Sequence, residues 1–150
     1  MSPRFSEESE RTLRRAGWFP GRTVDTEAWR VPLERDGFVF PEVVVRFLAE
    51  FNGLSFPDNG SGISRAREPF EFDPLLAEGE DDRYSEIGAE IGRVIAPLGE
   101  LDRGRFFLGM DELGAIYVVT DGLLFFGVGD AGLESLILGV MPVTPEDRFF

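Results

Sequence analysis

The chain has 150 residues, of which 43% are hydrophobic, and a formal net charge of −13 at pH 7. A chain of this length and apolar content can bury one hydrophobic core, so we expect a single folded domain over residues 1–150. It contains no Cys, His, Lys or Gln, and all fifteen cationic side chains are Arg. This composition excludes disulfides, catalysis by His or Cys, and phosphate-binding loops that need Lys.

The acidic charge predicts which partners the protein avoids and which it attracts. A charge of −13 opposes binding to nucleic acid and to anionic membranes and favours a basic partner, although many acidic proteins are simply well solvated. Residues 1–8 lack the apolar segment of a secretory signal. No uninterrupted apolar run approaches the roughly 18 residues of a membrane span. We therefore expect a cytoplasmic protein that binds neither nucleic acid nor membrane.

The N-terminal third predicts three helices. The first begins after Ser6, which can cap it, and runs to about Ala16, with acidic residues in its first turns and Arg in its last. The second begins near Asp25 or Thr26 and is interrupted by Pro32, because proline removes a backbone hydrogen bond. The third begins after Pro41 and has a core-facing apolar stripe made of Val43, Val44, Phe47, Leu48 and Phe51.

A turn over residues 16–22 separates the first two helices. It contains two Gly, one Pro and two adjacent aromatic residues, which is typical of a rigid, packed loop. Trp18 is too large to stay exposed without a reason, so we expect it in the core. We expect Arg22 to tie this loop to a carboxylate or to a backbone carbonyl.

The middle of the chain is its most acidic part. Short strands are predicted at Leu54–Phe56 and Phe70–Phe72, with a loop over residues 57–62; the second strand is expected at a sheet edge, where it could pair with another chain. From Glu71 to Asp102 there are ten acidic residues and two Arg. The densest segment predicts an exposed loop, either simply solvated or part of a surface for a basic partner. The candidate partner-binding residues are Glu71, Asp73, Glu78, Glu80, Asp81 and Asp82.

The C-terminal half predicts one helix followed by three strands. The helix covers about Arg83–Ala96 and ends before Pro97. Phe106–Val128 then alternates as three consecutive strands, and the turns Asp111–Gly114 and Asp121–Gly122 suit antiparallel hairpins. Both faces of these strands are largely apolar, so both must be covered.

A short helix capped by Asp130 follows and ends at Gly139, and residues 141–150 are expected to form a tail held by Phe149 and Phe150. We find no internal repeat and no domain boundary. The predicted class is α+β: a single domain with a central, mainly antiparallel sheet that ends in a C-terminal meander, packed by N-terminal and middle helices.

Two patterns that could carry chemistry do not meet its requirements. Gly127–Gly132 has the letters of a dinucleotide fingerprint, but only eighteen residues follow it, too few for the required βαβ unit. A carboxylate site could hold Mg²⁺ for hydrolysis, yet no group of acidic residues has a diagnostic spacing. We therefore expect no metal, no cofactor and no enzymatic activity, with a carboxylate-metal hydrolase as a remote alternative.

The ordered landmarks of the chain resemble the SUKH superfamily, most closely its third bacterial subfamily. The most specific landmark is the turn Ala16–Arg22, which contains Trp18. Weaker ones are the Phe47–Leu54 helix end, the Ile95–Gly99 link and the Gly114–Tyr117 hairpin. Residues that match the signature, and that we expect to be structural, are Gly17, Trp18, Pro20, Gly21, Arg22, Gly53 and Gly114.

The resemblance implies an α+β fold with helices on a central sheet and a role as an immunity protein of a bacterial polymorphic toxin system. Such a protein binds a cognate toxin domain, often a nuclease or deaminase, and blocks it stoichiometrically. The resemblance assigns no contact residues, so the partner-binding surface is inferred from charge alone. An acidic surface could be steered electrostatically onto a basic toxin face. The alternative is a regulatory or scaffold module like the fungal Smi/Knr-type relatives. Either a monomer or a homodimer is compatible with the sequence.

Overall fold

The computed structural model describes residues 3–57 and 67–144. Its elements follow one another along the chain as helices α1 to α5, strands β1 to β6 and one short 3₁₀ helix. Their bounds are α1 Glu7–Ala16, α2 Glu27–Arg35, α3 Glu42–Phe51, β1 Ser55–Phe56, β2 Phe70–Phe72, the 3₁₀ helix Pro74–Ala77, α4 Asp81–Ile91, β3 Ala96–Leu101, β4 Phe106–Met110, β5 Ala115–Val119, β6 Leu123–Val128 and α5 Gly129–Leu138.

The strands form one antiparallel sheet in the order β1-β2-β3-β4-β5-β6. Each strand therefore pairs with its neighbours along the chain. The α+β class and the predicted meander over β4–β6 are confirmed, and the same antiparallel pairing extends through the whole sheet. Partners directly opposite each other lie on one face, and one such row runs Ser55, Glu71, Glu100, Phe107, Val119 and Leu123.

Helices cover both faces of this sheet, as its apolar strands require. On one face, Phe47 of α3 packs edge-on against Phe72 at 5.3 Å between ring centroids. On the other, Tyr84 of α4 lies 6.1 Å from Phe107 and donates a hydrogen bond to the Leu108 carbonyl at 3.0 Å. All of β5 is buried, whereas most of β6 is half-buried.

The expected first helix is confirmed at both ends, and the third is confirmed at its start. Ser6 caps α1 by accepting a hydrogen bond from the Ser9 amide at 3.2 Å, and α1 ends at Gly17. Pro41 precedes α3, whose buried residues are Val44, Phe47, Leu48 and Phe51. None of the helices in the described ranges is both long and apolar enough to cross a membrane.

The predicted interruption at Pro32 was wrong, because α2 continues through it to Arg35. Proline in a helix interior costs about 3 kcal/mol. Trp29 and Leu33, on either side of Pro32, are 2% and 0% exposed, and burying each such side chain contributes about 1.5–3 kcal/mol. Tertiary packing therefore outweighs the local penalty.

The predicted helix Arg83–Ala96 was placed too late in the chain. Helix α4 begins at Asp81 and ends at Ile91, where Gly92 adopts the left-handed conformation at φ 68°. The expected link Ile95–Gly99 lies largely in strand β3. Pro97 is tolerated there because the pairing with β4 shifts register between Pro97 and Gly99, and bulges are among the few positions that accept proline within a sheet.

Three smaller expectations are also corrected. Strand β2 is an interior strand between β1 and β3, so its hydrogen-bonding edges are occupied and it is not free to pair with another chain. Asp81 and Asp82 belong to the first turn of α4 instead of an exposed loop. Asp130 lies inside the first turn of α5, whose N-cap is Val128.

Two predictions lie outside the described residues. They are the part of the predicted 57–62 loop that follows Pro57, and the tail contacts of Phe149 and Phe150. The described part of the tail reaches the sheet: Val143 forms an isolated antiparallel bridge with Phe125 of β6.

Candidate functional site: two groups of unpaired acidic side chains

The structure distributes the six predicted partner-binding residues over two neighbouring elements. Glu71 lies on β2 and Asp73 directly follows it, whereas Asp81 and Asp82 open helix α4. Glu78 and Glu80 occupy the turn between the 3₁₀ helix and α4. The six residues therefore surround the passage from the sheet to α4.

The first group, here called the sheet cluster, consists of Glu71, Asp73 and Glu100. Glu71 and Glu100 face each other directly across the antiparallel β2–β3 pair, a position in which like charges are destabilising. Burial raises the pKa of Glu100, and the charges of Glu71 and Asp73 raise it further. Within residues 3–57 and 67–144, none of the three forms an ion pair. A cation placed here would relieve the repulsion.

The pairing of Glu71 with Glu100 depends on the close approach of the β2 and β3 backbones. A Cβ atom built on Gly99 would lie 1.9 Å from the Glu71 carbonyl oxygen, so the approach of β2 to β3 requires glycine. Asp73 also has a local task, since its carboxylate accepts a hydrogen bond from the Leu75 amide at 3.1 Å and caps the 3₁₀ helix.

The second group, here called the helix row, consists of Asp82, Glu86 and Glu90 on α4. All three are exposed and are spaced four residues apart, so successive carboxylates are neighbours on the helix surface. Each like-charge pair of this kind destabilises a helix by about 0.2–0.5 kcal/mol. Glu90 also lies in the last turn, where the helix dipole disfavours an anion. No member of the helix row has an ion-pair partner in the described part of the chain.

Two of the three remaining predicted residues are less available. Glu80 pairs with Arg83, whose Nε lies 3.2 Å from the carboxylate. Asp81 is half-buried against the connection between α2 and α3: a Cβ atom on Gly37 would lie 3.2 Å from its Oδ2. Glu78 is exposed in the turn.

Sequence reasoning missed Glu86, Glu90 and Glu100 as members of the acidic surface. The four-residue spacing of Glu86 and Glu90 was a readable signal, because both lie in the predicted helix, whereas Asp82 joins them only because α4 begins at Asp81. No local signal marks Glu100, since its position opposite Glu71 depends on strand β3 and on its register.

The residues of the family-like signature make structural contacts. Trp18 is buried, and its Nε1 donates a hydrogen bond to Glu50 Oε2 at 2.9 Å. Arg22 donates to the backbone carbonyls of Glu50 and Asn52, the latter at 2.8 Å. The turn of Gly17, Pro20 and Gly21 is thereby tied to the C-terminal end of α3.

The two other signature glycines lie where chain segments meet. The Gly53 amide donates to the Phe72 carbonyl at 2.8 Å, which connects the end of α3 to β2. The Gly114 carbonyl accepts from the Gly129 amide at 2.8 Å, which connects the β4–β5 turn to α5.

A fully buried carboxylate, Asp111, organises that β4–β5 turn. It accepts hydrogen bonds from the amides of Leu113 and Ala115 at 2.9 and 3.0 Å and from the Tyr117 hydroxyl at 2.8 Å. Arg93 Nε lies 3.8 Å from its Oδ2. These contacts give Asp111 a structural role. In the described ranges, no three acidic side chains come together in a way that could hold a metal ion.

The fold and the two acidic groups together describe an α+β protein that presents acidic side chains from β2, β3 and α4. The family model for the SUKH-3 immunity protein matches residues 5–139, nearly the whole chain. The chain therefore belongs to the SUKH-3 immunity protein family, which confirms the superfamily and the subfamily that the sequence landmarks indicated. Immunity proteins of this family neutralise toxins and are generally non-catalytic. No curated protein and no solved structure matches the chain.

Proposed function

We propose that this protein binds a cognate bacterial toxin domain with a basic surface, of nuclease or deaminase type, and neutralises it in the cytoplasm. Membership of the immunity protein family supports the toxin-neutralising role. The observation that carries the choice of a basic partner is the absence of ion-pair partners for the sheet cluster and the helix row within the described chain. In this proposal residues 1–150 act as one domain, with 141–150 as its tail.

Electrostatics gives this surface two effects on binding. A strongly acidic protein attracts a basic toxin from a distance and raises the association rate, which then falls as salt is added. At contact, a basic side chain relieves the repulsion between Glu71 and Glu100 that the free protein retains. The same negative charge opposes binding of this protein to nucleic acid. It therefore does not itself bind the nucleic acid that a nuclease-type toxin binds.

Coexpression with a candidate toxin domain, sought among the genes next to the one for this chain, tests the proposal. We expect cell survival and a stoichiometric complex on co-purification, with survival lost when this chain is omitted. Cell death together with no detectable complex would refute the pairing and would favour the regulatory or scaffold alternative, which an unbiased pull-down of several weak partners would support.

A further inference from the structure

A groove with a volume of about 230 Å³ opens between the connection of α2 to α3 and the C-terminal half of α4. Its floor is apolar and buried, formed by Phe38, Tyr84 and Ile95. Its two rims carry Val39 and Val94, which are 61% and 41% exposed. Scattered exposed apolar residues are normal, whereas here two of them flank a concave apolar floor, and binding sites are typically concave and largely apolar.

The groove is held open by contacts that do not depend on a ligand. The Phe38 ring lies 5.6 Å from the Tyr84 ring, and the Tyr84 hydroxyl is bonded to the Leu108 carbonyl at 3.0 Å. The Val94 amide donates to Glu112 Oε2 at 2.8 Å, which connects that rim to the β4–β5 turn. A partner would thus bind without first ordering these walls, and pre-organisation of this kind favours affinity.

The charge around the groove is negative. Asp81 lines it and forms no ion pair within the described residues, whereas Arg93, which also lines it, has its Nε 3.7 Å from Glu112 and 3.8 Å from Asp111. Its positive charge is therefore already balanced. Ser85 and Ala89 line the groove from α4 together with Asp81. The exposed members of the helix row each follow one of these three residues in the sequence, so the row lies beside the groove on the helix surface.

We infer that this groove receives one apolar side chain of the cognate toxin domain, next to a basic toxin residue that contacts Asp81 or the helix row. The inference rests on the proposed function and names the part of the surface where binding energy concentrates. The apolar floor suits an uncharged toxin side chain, and the acidic residues beside it suit a neighbouring cation. Both properties fit a basic toxin surface with an exposed apolar residue. A buried apolar anchor surrounded by polar contacts is the usual form of an interface hot spot.

Four single variants of the full chain test this inference against the toxin domain found in the coexpression experiment, carrying an inactivating active-site mutation. Ala89→Trp fills the groove and Val94→Ser removes an apolar rim; neither changes charge. The matched controls are Ala28→Trp and Val31→Ser on α2, where Ala28 is exposed and Val31 is 42% exposed. Thermal unfolding first verifies that all four variants fold, and biolayer interferometry then measures both rate constants.

We expect the two groove variants to raise Kd by about tenfold to a hundredfold, mainly through faster dissociation. The α2 controls are expected to stay within about twofold of the unmodified chain. Unchanged binding by both groove variants, or an equal loss in their controls, would overturn the groove and leave the proposed function standing. Failure of the unmodified chain to bind that domain would overturn both.

Discussion

Replacing Glu100 by Gln is expected to stabilise the free protein, because it removes one member of a like-charge pair without changing the size of the side chain. Like charges directly opposite in an antiparallel pair cost up to about 1 kcal/mol. Removing the charge of Glu100 should therefore raise the free energy of unfolding by about 0.5–1 kcal/mol near neutral pH. For a chain of this size, that corresponds to a rise in Tm of roughly 1–4 °C.

The pH dependence of this effect has a definite sign. The pKa of Glu100 is raised in the folded protein, so the folded state binds more protons than the unfolded state as the carboxyl group titrates. Stability then decreases as the pH rises through this range. The gain in Glu100→Gln should be absent below about pH 3.5, where both states are protonated, and should grow above the ordinary pKa of Glu, about 4.3.

Urea unfolding at a series of pH values measures this gain. The matched comparison is a double-mutant cycle with Glu71→Gln, in which the double variant should gain less than the sum of the two single gains. A Glu100→Gln variant that is no more stable than the unmodified chain at pH 7.5, or one whose gain persists at pH 3, would refute the assignment of repulsion to this pair.

Two further predictions address the turn and the helix. Asp111→Ala should lower the free energy of unfolding by about 3 kcal/mol, because it leaves two amides and a hydroxyl buried without their acceptor; the corresponding fall in Tm is roughly 6–12 °C. Calorimetry checks this against Asp121→Ala, an exposed acid of the next turn, and equal losses in both would contradict the buried network. Charge reversal of the helix row to Arg should slow association with the toxin domain by about tenfold and flatten its salt dependence, while dissociation changes less. Stopped-flow kinetics measures the association rate, and the control is the same change in charge on α1, at Glu7, Glu8 and Glu10. An equal slowing by the control would contradict a specific role of the helix row.

Local sequence patterns were sufficient for the elements whose limits depend on neighbouring residues. Ser6 and Gly17 delimit α1, and alternating apolar residues define β4 to β6, because capping and periodicity are local properties. The boundary between α4 and β3 was missed since Val94 and Ile95 continue a helical spacing after Gly92 has ended the helix. Strand β3 forms through pairing with β2 and β4, and Gly99 permits the close approach to β2.

Local composition predicted an acidic surface but not the spatial arrangement of its residues. The density of acidic residues selected Glu71, Asp73 and Asp82 as candidates, and their role in partner binding stays a prediction. Their division into a sheet cluster and a helix row requires the strand register and the start of α4, and neither can be read from local charge. The pairing of Glu80 with Arg83 likewise depends on the start of α4, because Glu80 is the N-cap and Arg83 lies in the first turn.

Arg4 joins parts of the chain that are far apart in sequence, since its guanidinium contacts Glu50 of α3 and Asp130 of α5, both at 2.7 Å. The segment that it anchors, including α1, contributes no strand to the sheet. Helix α1 can therefore open as a separate unit without breaking a strand pairing, and its amides should exchange with solvent at a lower free energy than those of β5. Native-state hydrogen exchange measures this difference; equal protection would mean that α1 and the sheet unfold as one cooperative body.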